Sequence, residues 1–229
     1  MHMTLPTPKS ILQWDTLSWS AALGYWEENA QDLSNRLGLE LGGREGGLSL
    51  WLAGKGMFVT CSDLSGVRES ARPLHEKFGV AAQINYEDVD ATNIPYKDKF
   101  DVIVFKSIIG GIGRGDNIEI QKKVFREIHK ALKPGGKLFF AENLTASPLH
   151  RFFRKRFTNW GDSWRYVTHE EMEMFLQPFS RYELKSTGVT AAFGRTEFQR
   201  NILARADRIF FNHLCPDSWK YIGYGMAVK

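Results

Sequence analysis

Residues 36–65, RLGLELGGREGGLSLWLAGKGMFVTCSDLS, decide the fold. An apolar strand over 37–41 runs into two glycines, and a helix restarts at Gly46-Gly47 with Leu48, Trp51 and Leu52 on one side. A second strand, 58–62, ends on Asp63. A turn this rich in glycine brings bare backbone N–H groups close to a ligand, and the positive end of the helix dipole points at the same place. Asp63 stands 17 residues beyond Gly46, close to the offset of about 20 at which an acid meets ribose hydroxyls. The stretch reads as a cradle for a nucleoside cofactor.

Outward from it, strands and helices alternate, the pattern of a mostly parallel sheet covered on both faces. A helix over 67–78 precedes a third strand at 82–86. FDVIVFK, 100–106, is apolar enough to be a central strand buried on both faces. A helix over 117–132, with Val124, Phe125, Ile128 and Leu132 as its stripe, stops at Lys133-Pro134-Gly135-Gly136. KLFFAEN is a fifth strand, 169–176 a helix, 180–186 a sixth strand, and WKYIGYGMAVK a last one. Three segments stand outside this alternation. Residues 1–35 carry Trp14, Trp19, Tyr25 and Trp26 and form either an aromatic lid or a cover for the sheet. Residues 144–168 and 188–216 emerge from the ligand-binding edge and are expected to cap it. In the latter, Phe198, Ile202, Ala206, Ile209 and Phe210 share one helical face.

With 229 residues and 24% charged side chains, the chain has the size and composition of one α/β domain spanning 1–229. No apolar run reaches the ~18 residues of a membrane span, and the first residues lack a signal-peptide core. Two cysteines make no disulfide framework, and Cys61 falls inside a strand. A cytoplasmic protein without a membrane partner is expected, its oligomeric state left open. The net charge of +4 argues only weakly for nucleic acid. The cations cluster in 151–156, RFFRKR, and at Arg195, Arg200, Arg205 and Arg208, as solvated faces or as a surface for an anionic substrate.

The order of these pieces resembles the class I S-adenosylmethionine (SAM)-dependent methyltransferases, over about 37–143 and again in the last strand. LELGGREGG is similar to that family's first motif, with Glu40 at the acidic position, and SDLS supplies Asp63, with Leu64 beside it, for the ribose side. VDATNIPYKDKFDVIVFKSIIGGIG and LKPGGKLFFAEN resemble the later motifs. The resemblance implies an open, doubly wound, Rossmann-like α/β sheet of seven strands, mostly parallel with an antiparallel last strand, plus small cap segments. It implies SAM as cofactor, held by Glu40, Gly42, Gly43, Arg44, Gly46, Asp63, Leu64, Asp90, Ala91, Lys106 and Ser107. Arg44 departs from the family, which has glycine there. Either its guanidinium meets the methionine carboxylate while Gly43 supplies the permissive dihedral, or it points into solvent. The dinucleotide fingerprint G-x-G-x-x-G is absent, which favours SAM over a nicotinamide.

Methyl transfer needs alignment above all, plus a base where the acceptor is a hydroxyl or ammonium. His150 and Glu142 are the candidate bases by position, with a packed histidine and an ordinary hydrogen-bond acceptor as the competing readings. Arg151, Arg154, Arg165, Trp160, Trp164 and Tyr166 are candidates to hold a flat or glycosidic anionic substrate, or else a local core under a loop. No metal set is evident. The tip of the fourth strand, Phe105-Lys106-Ser107-Ile108, lacks the tetrapeptide of DNA amine methylases. The expected function is methyl transfer to a small molecule, anionic or sugar-containing among the candidates. An RNA methyltransferase, a non-catalytic SAM- or nucleotide-binding protein and, more distantly, a nicotinamide oxidoreductase are the alternatives.

Overall fold

The computed structural model of the chain describes residues 5–30, 32–157 and 164–229. The described residues build a seven-stranded sheet in the order β3-β2-β1-β4-β5-β7-β6. The strands are β1 Leu37–Leu41, β2 Phe58–Asp63, β3 Ile84–Asp88, β4 Phe100–Lys106, β5 Leu132–Asn143, β6 Arg181–Thr187 and β7 Ile222–Val228. The last strand runs antiparallel to both neighbours, and the pairs among β1 to β5 are parallel. This is the Rossmann-like α/β sheet expected. Phe100 pairs with Leu132 and Val102 with Lys137, so the Lys133–Gly136 reversal bulges out of β5.

The helices are α1 Pro8–Leu12, α2 Thr16–Asn29, α3 Gly47–Gly54, α4 Val67–Lys77, α5 Ile109–Ile112, α6 Ile118–Ala131, α7 Pro148–Phe157, α8 His169–Leu176, α9 Glu197–Ala206 and α10 Asn212–Leu214, with a π-helical stretch Asp207–Phe211 joining the last two. β4 shows why they take two sides. Val102 and Val104 join a core with α2 and α3, while Ile103 and Phe105 join one with α6 and α8. Each alternate side chain of the strand is buried, as a central strand requires.

The N-terminal aromatics divide between the two readings of 1–35. Trp19 and Trp26 are fully buried, and Trp26 packs on Trp51 and Phe139 and donates to the Gly225 carbonyl at 3.2 Å. Tyr25 donates to Glu183 on β6 at 2.9 Å. These three cover the sheet, and Trp14 stays at the ligand edge. The chain leaves β1 toward β2 and β3, then returns to β4 on the other side. That reversal is the topological switch point, beyond the carboxyl ends of β1 and β4, where open α/β sheets bind their ligands, with Gly42 and Lys106 on its two sides.

Candidate active site

The glycine turn is held from below by Glu40. Its buried carboxylate accepts from the N–H of Leu48 at 3.1 Å and of Ser49 at 2.8 Å. Burial pushes its pKa up to about 7 against the opposing pull of these bonds. The α3 N-terminus is therefore already filled by the protein's own acid. A phosphate has no place at this helix end, whereas a nucleoside without phosphate needs none. Gly42 and Gly46 take left-handed φ of 66° and 73°, and Arg44 does so as well, at 48°. The permissive dihedral thus falls on either side of Gly43 rather than on it. Gly43 is required for closeness, since a Cβ there would lie 3.2 Å from the Glu40 carboxyl and 3.0 Å from Cys61 Sγ. Left-handed Arg44 costs roughly 1–2 kcal/mol. Two bonds hold it, Arg44 N–H to Asp63 at 3.0 Å and Ser70 Oγ–H to the Arg44 carbonyl at 2.7 Å. The Arg44 side chain is exposed.

His75 was not legible as a site residue. It is fully buried under the turn, its Nε2 2.8 Å from the Gly46 carbonyl and its Nδ1 2.9 Å from Tyr86 Oη. A carbonyl only accepts, so Nε2 carries the proton. Nothing in the sequence around it marks this role.

Asp63 ends β2 with one oxygen accepting from Arg44 N–H and the other from Leu64 N–H, at 3.0 and 2.8 Å. A carboxylate has about four acceptor positions, so each oxygen keeps room for one hydroxyl. Leu64 beside it is 70% exposed, an apolar surface beside the acid. Asp90 turns its carboxylate onto Thr92 N–H and Oγ1–H, both at 2.8 Å, closing a loop in which Ala91 is buried.

Across the crevice, half-buried Lys106 ends β4. Its ammonium donates to the Leu12 carbonyl at 2.9 Å and lies 3.4 Å from the centroid of the Trp14 ring. Burial lowers its pKa to about 7, with Asp15 opposing and the positive charge of Arg44 adding to the shift. Ser107 is left-handed, φ 57°, and accepts from Asn143 Nδ2 at 2.6 Å. Glu142 lies fully buried beneath this loop. It accepts from the N–H of Ile108, Ile109 and Asn143 at 2.8, 2.7 and 2.9 Å, and burial raises its pKa to about 7. With no exposed surface and three backbone N–H groups held, it has no access to an acceptor and serves to position the loop.

His150 takes a similar correction. It is buried, with Nε2 2.7 Å from the Val189 carbonyl and Nδ1 2.7 Å from Ser147 Oγ, and its ring lies 4.5 Å from that of Phe193. Nε2 must donate to the carbonyl, so Nδ1 accepts from the serine, and no lone pair is left for a substrate. Burial, helped by Arg154, depresses its pKa to about 4. His150→Phe is expected to keep the ring packing and lose both bonds. Thermal denaturation should show a loss of about 1–3 kcal/mol, while the shape of the rate–pH profile stays the same.

The expected substrate clamp is dispersed. Arg165 donates to Asp116, Gln121 and Glu171, at 2.8, 2.7 and 2.6 Å, which makes it a brace between α6 and α8. Trp164 lies flat on α5, where a Cβ on Gly110 would meet its Nε1 at 1.8 Å. Tyr166 stacks under the Arg154 guanidinium, 3.8 Å from ring centroid, and Arg154 also donates to the Leu144 and Thr145 carbonyls. Arg151 is exposed on α7. Trp160 lies outside the described residues. Among the described residues no group of His, Cys, Asp and Glu is arranged to hold a metal ion, and no helix is long and apolar enough to cross a membrane.

A sheet of this order with an acid-capped glycine turn at its switch point has the architecture of the class I SAM-dependent methyltransferases. Residues 39–140 match the family described as methyltransferase domain. No curated protein matches the sequence. Phosphoethanolamine N-methyltransferase 2 of Haemonchus contortus, solved with SAM, superposes with a TM-score of 0.64 at 17% identity, over 97% of this chain and 57% of that one. This chain therefore spans less than two thirds of that protein's length. The YcgJ protein of Bacillus subtilis superposes at 0.63 with 15% identity, over 92% of this chain and 98% of that one. The [4+2]-cyclase SpnF superposes at 0.61 with 16% identity, over 92% and 80%. Identities this low show a shared fold, and the cyclase shows that the fold alone does not set the reaction.

Proposed function

We propose that the chain transfers a methyl group from SAM to a small-molecule acceptor. One observation carries the reading: Asp63 keeps acceptor capacity on both oxygens beside a glycine turn whose helix end is closed to phosphate by Glu40. The residues fit a nucleoside sulfonium, with Asp63 for the ribose hydroxyls, Leu64 and Ala91 for the base, and Arg44 near the amino-acid end. When bound, that cofactor supplies an electrophilic methyl that needs no activation by the protein. The chain's own work is then to align an acceptor, exclude water and take a proton.

Lys106 is the titratable group best placed for the proton. It stands at the switch-point crevice, and with a pKa of about 7 a large share of it is neutral near neutrality. Its basic form grows as pH rises through about 7, so turnover should climb across that interval and level off above it. Lys106→Met is expected to lose this limb of the kcat profile while still binding SAM. A profile of unchanged shape would remove Lys106 from proton transfer.

A small acceptor is supported by the brevity of the segments around the crevice and by the same-fold Haemonchus enzyme, solved with phosphomonomethylethanolamine and S-adenosylhomocysteine. Incubation with radiolabelled SAM and a panel of small amines, carboxylates and glycosides tests it. Label in a small product supports the reading. Label in added RNA, with affinity falling steeply with salt, would favour RNA as acceptor. Tight SAM binding with no label anywhere would favour a non-catalytic protein.

A further inference from the structure

The apolar face that periodicity marks on 198–210 points away from the protein. Phe198 is 74% exposed and Ile209 64%, with Ile202 and Phe210 also open, and on α7 Phe152 is 64% exposed. The orientation is fixed rather than frayed. α9 docks through buried Ala204, and the buried Asp207 carboxylate accepts from the N–H groups of Val189, Thr190 and Ala191 at 2.9, 2.8 and 3.0 Å. The two aromatic faces meet through Phe193, whose ring lies 5.4 Å from that of Phe153 and which lines a groove of about 440 Å³ with Ile202.

Cations surround this surface. Arg151, Arg156, Arg195, Arg205 and Arg208 are exposed. The α7 sequence PLHRFFRKRF has no acid, and of the acids in 195–214, Asp207 is turned inward, leaving Glu197. We propose that α7 and α9 form a docking surface for an anionic lipid membrane, lying in its interface without crossing it. Bulky apolar side chains enter the boundary of the acyl region while the arginines meet phosphate headgroups. A second copy of the chain is a poorer occupant, because a two-fold contact would set the arginine rims against each other. The surface shares no residue with the cofactor crevice, so it stands or falls separately.

The test is co-sedimentation of the full chain with vesicles of phosphatidylcholine alone and with an equal part of phosphatidylglycerol. The expected result is binding to the anionic vesicles that weakens with salt, and far less to the neutral ones. Arg205→Gln should weaken it about fivefold, and the triple variant Phe152→Ser, Phe198→Ser, Ile209→Ser by at least about tenfold. An unchanged melting temperature and SAM response confirm that each variant is folded. Should the triple variant misfold, Arg205→Gln decides alone. No binding to anionic vesicles, equal binding to both kinds, or undiminished binding by the folded variants would overturn the proposal. So would a dimer in sedimentation velocity that the apolar substitutions dissolve.

Discussion

An Asp63→Ala variant is expected to bind SAM roughly a hundredfold more weakly than the parent chain, or worse. Hydrogen bonds from ligand hydroxyls to a carboxylate contribute about 1.5–3 kcal/mol each, and Asp63 has one open position on each oxygen. The same substitution strips the Arg44 and Leu64 amides of their acceptor, at 3.0 and 2.8 Å. Arg44 is left-handed at φ 48° and relies on that anchor, so loss of the ligand contact and slackening of the turn act together. Asp63→Asn keeps one acceptor oxygen, enough for the Arg44 N–H but not for the Leu64 N–H as well, and is expected to lose about tenfold. Calorimetric titration of SAM into each variant measures this. Unchanged affinity in a folded Asp63→Ala protein would move the ribose elsewhere.

The second large effect is expected at Glu142. Its carboxylate satisfies three backbone N–H groups, that of Ile109 buried and those of Ile108 and Asn143 partly so, two of them opening the loop that follows β4. Glu142→Ala leaves all three without a partner, each costing about 1–3 kcal/mol, and should destabilise the fold by about 3–5 kcal/mol in denaturant titration. The pH dependence follows from the same burial. Glu142 and Glu40 both have folded pKa values near 7, raised from an ordinary 4.5. Between these values the folded state binds more protons than the unfolded chain. Their contribution is therefore present in full below about 4.5 and is lost as pH rises through 7. In Glu142→Gln that fall should be shallower, since one of the two buried glutamates that produce it is gone. A fall of equal steepness would mean that Glu142 stays ionised in the folded protein.

How much of this was legible varies with the kind of signal. β1 and β4 could be read to the residue because an unbroken apolar run flanked by glycine or a charge has few other uses. The helices α5 and α7 were not read, the first because Ile109-Gly-Gly-Ile112 looks like loop, the second because its apolar side faces outward. Periodicity found the stripe on α9 but carries no information on which side docks, and Ala204 with Asp207 decided that. Glu142 and His150 were found by position, and Glu40 by the resemblance of its motif. Position places a side chain at the sheet edge without showing that backbone amides or a carbonyl have taken its polar atoms. Arg165 failed for the same reason, with Asp116, Gln121 and Glu171 gathered from distant parts of the chain. His75 left no trace at all, since its partners, Gly46 and Tyr86, lie 29 and 11 residues away.

Thermal denaturation with SAM, S-adenosylhomocysteine or NAD added in turn tests the crevice most directly. At a hundred times its dissociation constant, a ligand bound to the native state alone adds about 2.7 kcal/mol, worth roughly 5–10 °C for a chain of this size. The two adenosyl ligands should raise the transition by that order and NAD should leave it in place, because the carboxylate of Glu40 already occupies the helix end a pyrophosphate requires. A rise with NAD and none with either adenosyl ligand would contradict the account at its root.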